Sequence, residues 1–120
     1  MSPLRRSQLL KGTTELLILS VLEVEPRHGY EIAQLIRDRA AGLALSEGAL
    51  YPALHRLEAR GALNASWQPG SGGPRRRYYT LTDEGRGLLV DARQEWDRFV
   101  AEVGSVAGAA RVALTEARRV

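Results

Sequence analysis

The chain has no cysteine in its 120 residues. That absence excludes a disulfide framework, a thiolate zinc site and a cysteine nucleophile, and it suits a reducing compartment. Lysine is nearly missing too: Lys11 is the single lysine among 17 basic residues, and the rest are arginine. Arginine makes bidentate contacts with phosphates and guanine edges that lysine cannot make. A GC-rich genome produces the same bias, and composition leaves both explanations open. The only histidines are His28 and His55, and neither sits in a nucleophile or metal motif. No glycine-rich phosphate cradle or paired-carboxylate arrangement is visible either, so no enzyme, cofactor or metal is expected. Long apolar runs are absent as well. The longest cluster, Leu16 to Leu22, is interrupted by Ser20 and flanked by Glu15 and Glu23, far short of the ~18–20 residues of a membrane span. The basic opening MSPLRR lacks the apolar stretch and cleavage site of a signal peptide after it. The expectation is a soluble cytoplasmic protein with no membrane partner.

Two segments carry the positive signal: EGALYPALHRLEARGAL from Glu47, and GGPRRRYYTLTDEG from Gly72. The first reads as an amphipathic helix that stops at Gly61. Ser46 is its N-cap, and Leu50, Leu54 and Leu57 are its buried stripe. Gly48, Tyr51, Pro52, His55, Arg56 and Ala59 take the opposite face, and Pro52 is expected to loosen the first turn. The second segment reads as a hairpin followed by a helix. Leu63, Ala65 and Trp67 alternate as a strand, Pro69 to Pro74 form the tip, and Arg75 to Leu81 return. Thr82 caps the helix that follows. Upstream, a helix fits Thr13 to Val24, with Leu16, Leu17, Val21 and Val24 inward and Pro26 ending it. His28 and Gly29 turn the chain, and a second helix fits Tyr30 to Ala40, with Ile32, Leu35 and Ile36 inward. Tyr30 is expected in the core, and Gly42 as the C-cap.

Helices leading into a helix, basic hairpin and helix give a mainly α fold, a winged helix-turn-helix. In that fold the helix at 47–61 meets base edges and the hairpin meets phosphates. The expected DNA contacts are therefore Ser46, Gly48, Tyr51, His55 and Arg56 from the helix, and Arg75, Arg76, Arg77 and Tyr79 from the wing. Lys11 would add a phosphate contact from an N-terminal arm spanning 1–9 and its junction. Alternation along the strand sends neighbouring side chains to opposite faces, so two of the three arginines should point at DNA and one of Tyr78 and Tyr79 should pack inward. The winged domain is placed at 10–81 and a C-terminal helix at 82–120.

That last helix has its own pattern. Leu89, Ala92, Trp96, Phe99, Val103, Val106 and Ala110 fall at alternating spacings of three and four, a coiled-coil seam. A helix reaching Ala117 would outrun a domain of ~80 residues, and a second copy of the chain is the simplest cover for its seam. Gly104 and Gly108 each cost about 1 kcal/mol inside a helix.

HGYEI at 28–32, EGALYPALHRLEARG at 47–61 and PRRRYYTLTDEG at 74–85 together resemble the PadR family of bacterial transcriptional regulators, over roughly residues 10–100. The resemblance implies a winged-helix homodimer of the short kind, with one C-terminal dimerisation helix, binding double-stranded DNA and in most cases repressing. Ala62 departs from the larger aliphatic usual there, and the Ala- and Gly-rich end beyond about Val103 departs too. Relatives that sense planar aromatic molecules bind them between subunits. Trp96 and Phe99 thus have two readings, as seam residues or as the walls of a site for a small aromatic inducer. A winged helix used only for protein–protein contact is the alternative function. The arginine run of the wing argues against it.

Overall fold

The computed structural model describes residues 12–43, 45–70 and 72–108. Helix α1 spans Thr14–Val21, a two-residue strand β1 Arg27–His28, helix α2 Gly29–Arg39 and helix α3 Glu47–Ala59. Strands β2 (Leu63–Gly70) and β3 (Gly73–Leu81) and helix α4 (Asp83–Ala107) complete the order. The chain divides into two units, one up to Leu89 and one from Val90.

The first unit is held by a core of Ile18, Leu19, Leu22, Ile32, Leu50, Leu54 and further aliphatic side chains. α1 is shorter than its spacing suggests. It stops at Val21, and Val24 is 80% exposed. Leu16 to Leu19 are four consecutive apolar residues, so periodicity alone does not set the helix phase, and Ile18, Leu19, Val21 and Leu22 face the core. Pro26 disfavours helical backbone at the residue before it, and the chain has already left the helix by then.

α2 begins one residue early because His28 is its N-cap. The imidazole Nδ1 accepts from the Glu31 amide at 3.3 Å, and the Glu31 carboxylate accepts from the His28 amide at 3.2 Å. This reciprocal box satisfies two backbone donors that a helix start leaves free. With Ile32 and Ile36 setting the buried face, Tyr30 lies about 200° around the helix from Ile32, and it is exposed rather than in the core. Gly42 is not a left-handed cap either. Ala40 ends α2 in extended conformation, and a 3-10 turn at Ala41–Leu43 follows, closed by the Leu43 amide on the Ala40 carbonyl at 2.8 Å.

α3 starts on Ser46, whose hydroxyl accepts from the Ala49 amide at 3.2 Å, and it continues through Pro52. It ends in a paired left-handed stop. Gly61 has φ +81°, its amide bonds to Glu58 O at 3.0 Å, and the Ala62 amide bonds to Leu57 O at 2.9 Å, the two bonds of a Schellman motif. β2 and β3 then pair antiparallel from Leu63↔Leu81 to Gly70↔Gly73, with a register shift between Gln68 and Gly70. The strands therefore absorb most of the expected six-residue tip. β1 adds to the other edge of β3, pairing Arg27 with Tyr79 and His28 with Tyr78. The sheet order is β1-β3-β2.

Thr82 joins α3 to α4. Its hydroxyl donates to the Gly61 carbonyl at 2.6 Å and accepts from the Gly85 amide at 2.9 Å. Gly85 packs so closely on Ala62 that a methyl group there would collide with the Ala62 backbone oxygen. Leu89, expected at the seam, is instead fully buried in the core of the first unit. In the second unit α4 runs to Ala107, and Gly108 follows with φ +90°. The expected continuation to Ala117, including Ala110, lies outside the described residues. Because backbone cannot retreat as a side-chain tip can, Gly85→Ala is expected to lower stability by about 2–3 kcal/mol; the midpoint of urea unfolding measures it.

Candidate nucleic-acid interface

Buried Leu50, Ala53, Leu54 and Leu57 anchor α3 to the core. Helical geometry therefore turns Ser46, Gly48, Tyr51, Pro52, His55 and Arg56 outward, and all six are exposed. Tyr51 is seated rather than loose. A methyl group at Gly29 would lie 3.0 Å from its Cε1 and 3.2 Å from its hydroxyl, so the ring rests on the first residue of α2. That explains a glycine in HGYEI better than a turn does. Arg56 is tied to α1, its Nε donating to Glu15 Oε1 at 3.0 Å.

The three arginines of the wing differ in their surroundings. Arg77 donates from Nη2 to Glu58 Oε2 of α3 at 2.6 Å, with both side chains about one-third exposed. Its guanidinium also stands 5.9 Å from the centre of the Tyr79 ring, within cation–π range. Arg75 donates to the Trp67 carbonyl at 3.3 Å. Arg76 has no ion-pair partner among the described residues. Tyr79 was expected to face a phosphate; it is 4% exposed and belongs to the core. Burial pushes its phenol above the ordinary value, against the opposing pull of the Arg77 cation, so it stays a neutral donor. Tyr78, the other of the pair, makes a T-shaped contact with the His28 ring, the ring centres 5.4 Å apart.

Between α3, the start of α2 and the hairpin lies an open cleft of about 390 Å³. Tyr51 and His55 line one side, Trp67 and Pro74 the other, and Arg76 and Arg77 also contribute to its walls. No carboxylate lines it. The sequence-expected residues Tyr51, His55, Arg76 and Arg77 thus come together at one place, with Tyr79 reaching it from the core. Lys11 lies outside the described residues.

Sequence reasoning missed Glu58, Gly29 and Trp67. A signal for the first existed: Arg77, Tyr79 and Leu81 share one strand face, and Leu81 points into the core, so Arg77 had to face the helices. Trp96 and Phe99, in the second unit, are exposed with ring centres 6.1 Å apart. Val100, Val103 and Val106 are exposed too, and Ala92 is half-buried. Among the described residues no helix is long and apolar enough to cross a membrane.

The family model of PadR-like transcriptional regulators matches residues 18–91. A transcriptional regulator of Mycobacterium tuberculosis, Rv3488, is 39% identical over 77 residues, which make up 64% of this chain and 59% of that protein. Among solved structures, a PadR family transcription regulator of Clostridium difficile is 40% identical with a TM-score of 0.67, covering 78% of this chain and 96% of that one. One from Eggerthella lenta is 33% identical with a TM-score of 0.75, covering 85% and 88%.

The different surroundings of the wing arginines have a stability consequence. Arg77→Ala leaves half-buried Glu58 unpaired and is expected to cost about 1 kcal/mol, whereas Arg75→Ala and Arg76→Ala stay within about 0.5 kcal/mol of wild type. Urea unfolding of the three variants checks the ranking.

Proposed function

The chain belongs to the PadR-like family of transcriptional regulators, DNA-binding proteins and not enzymes, and on that premise we propose that it is a cytoplasmic homodimeric repressor of an inverted-repeat operator. The observation that carries this reading is the outer face of α3 standing beside the arginines of the wing across a cleft free of carboxylates. α3 enters the major groove, where Tyr51 and His55 meet base edges. Ser46, Gly48 and Arg56 lie along the same helix, and Arg75 and Arg76 take phosphates. Arg77 braces the wing against α3 through Glu58 and contributes charge only from the second rank. Lys11 adds a backbone contact from the N-terminal arm.

The exposed rings and valines of α4 support the dimer. A helix of 25 residues presenting Trp96, Phe99, Val103 and Val106 to water leaves an apolar stripe that a second copy covers. Leu89 serves its own core instead. A two-fold dimer carries two recognition helices and reads half-sites about one turn, ~34 Å, apart. A planar aromatic ligand between Trp96 and Phe99 of the two copies would release DNA only by preferring a spacing of the helices that the operator does not accept. The alternative, a winged helix used for protein contact alone, leaves the unpaired cation Arg76 beside the recognition helix without a purpose.

Mobility shifts with DNA from upstream of the gene, at two salt concentrations and against an unrelated duplex, test the reading. Preferential binding is expected, falling with a log–log slope of about −0.9 per phosphate contact. Removing Arg75 and Arg76 flattens that slope, while Tyr51→Phe or His55→Ala changes the preference among operators. Equal weak binding to both duplexes counts against operator recognition. Phe99→Asp places a charge in the seam and is expected to give monomers by sedimentation and to weaken operator binding more than tenfold.

A further inference from the structure

The Trp67 ring has no part in the DNA contacts proposed above, and its setting calls for one. It is opposite Arg77 in the β2–β3 ladder, on the sheet face that carries Leu63 and Ala65 inward nearer the root. Two residues further out the same face has left the core, and Trp67 is 57% exposed. A large ring standing in water gains nothing for the isolated fold, whereas aromatic side chains contribute strongly when a partner covers them. Across the cleft from it stand Tyr51 of α3 and Tyr30 at the start of α2. The cleft has two cationic residues and no carboxylate in its lining. Glu58 already meets the charge of Arg77, which leaves Arg76 as the cation free to meet an anion.

Duplex geometry says what crosses such a cleft. With α3 in a major groove and the hairpin at the neighbouring minor groove, the sugar–phosphate strand that separates the two grooves must pass between helix and hairpin. We propose that the cleft is the seat of that strand, with a phosphate against Arg76, the adjoining deoxyribose packed on the Trp67 ring, and the Tyr30 hydroxyl donating to the same stretch of backbone. The inference rests on the DNA-binding reading and adds to it an occupant for the cleft and a contact residue, Trp67. Such a contact reads no base, so it is made on operator and unrelated DNA alike. Its role is to fix how the helix and wing straddle the strand, on which base reading by Tyr51 and His55 depends.

The chain has two tryptophans, which makes the test direct. Full-length protein carrying 5-fluorotryptophan gives two fluorine resonances, and Trp96→Phe assigns them. Titration with a mixed-sequence duplex of about 30 base pairs at low salt is expected to shift the Trp67 resonance. Trp67→Ala is expected to weaken binding about tenfold on every duplex, with an unchanged salt slope, because an apolar contact to a sugar releases no counterion. Trp67→Phe restores most of the affinity. Arg76→Ala instead flattens the slope by about one contact. Because Trp67 is exposed, its variants keep the core intact, and far-ultraviolet circular dichroism verifies this. Duplex binding that leaves the Trp67 resonance in place, or full affinity in Trp67→Ala, overturns the seat while sparing the DNA-binding reading. No binding to any duplex, upstream DNA included, overturns both.

Discussion

One hydroxyl holds the parts of this interface in register. Thr82 donates to the carbonyl of Gly61, the residue that ends α3, and accepts from the amide of Gly85 in the first turn of α4. Both ends of the β2–β3 hairpin are anchored within three residues of that joint. The Thr82 amide adds a bond to the Ala62 carbonyl at 3.1 Å, and Gly85 lets the backbones approach until no side chain would fit. Ala62 shows the same constraint from the other side: it is buried at the point of closest approach. The end of α3, the root of the hairpin and the first turn of α4 thereby meet at one small corner, and the angle between α3 and the hairpin is set there.

Farther out, the same angle is held by charge. The Glu58–Arg77 pair spans from α3 to the wing at about one-third exposure, where water still screens it and the net gain of a pair is modest. Its value is geometric. A hairpin pinned only at its root can sway at its tip, and a second tie partway along restricts that motion. Beyond that tie lie Arg76 and Pro74, which line the cleft together with Trp67, the residue opposite Arg77.

Much of this was legible in the residues. The stripe of Leu50, Leu54 and Leu57, the Ser46 and Thr82 caps and the stop at Gly61 depend on local rules of spacing and capping, and all stand in the structure. The failures share a cause: they depend on what lies across space. The phase of α1 is hidden in an apolar run, since any face of it looks buried. β1 is only two residues long, too short for alternation to announce, and exists because the edge of β3 offers partners to Arg27 and His28. Tyr30, expected in the core, is exposed, because the phase that buries Ile32 and Ile36 turns it to the opposite side of α2. The outer face of α3 could be read in advance, and strand alternation turns Arg77 toward the helices, but the rest of Tyr51 on Gly29 and of Arg77 on Glu58 joins residues 22 and 19 positions apart, and no pattern in one chain names those partners.

The Arg75–Arg77 run also bears on how such a protein changes over time. Three identical neighbours invite treatment as one basic patch in which any member can stand in for another. Selection acting on this hairpin meets two separate requirements. At positions 75 and 76 no carboxylate of the described residues pairs with the guanidinium, and lysine is an acceptable neighbour in sequence space. At position 77 the guanidinium answers to a carboxylate and a ring inside its own chain, so the acceptable replacements are decided by Glu58 and Tyr79, and the residue can change only in step with them.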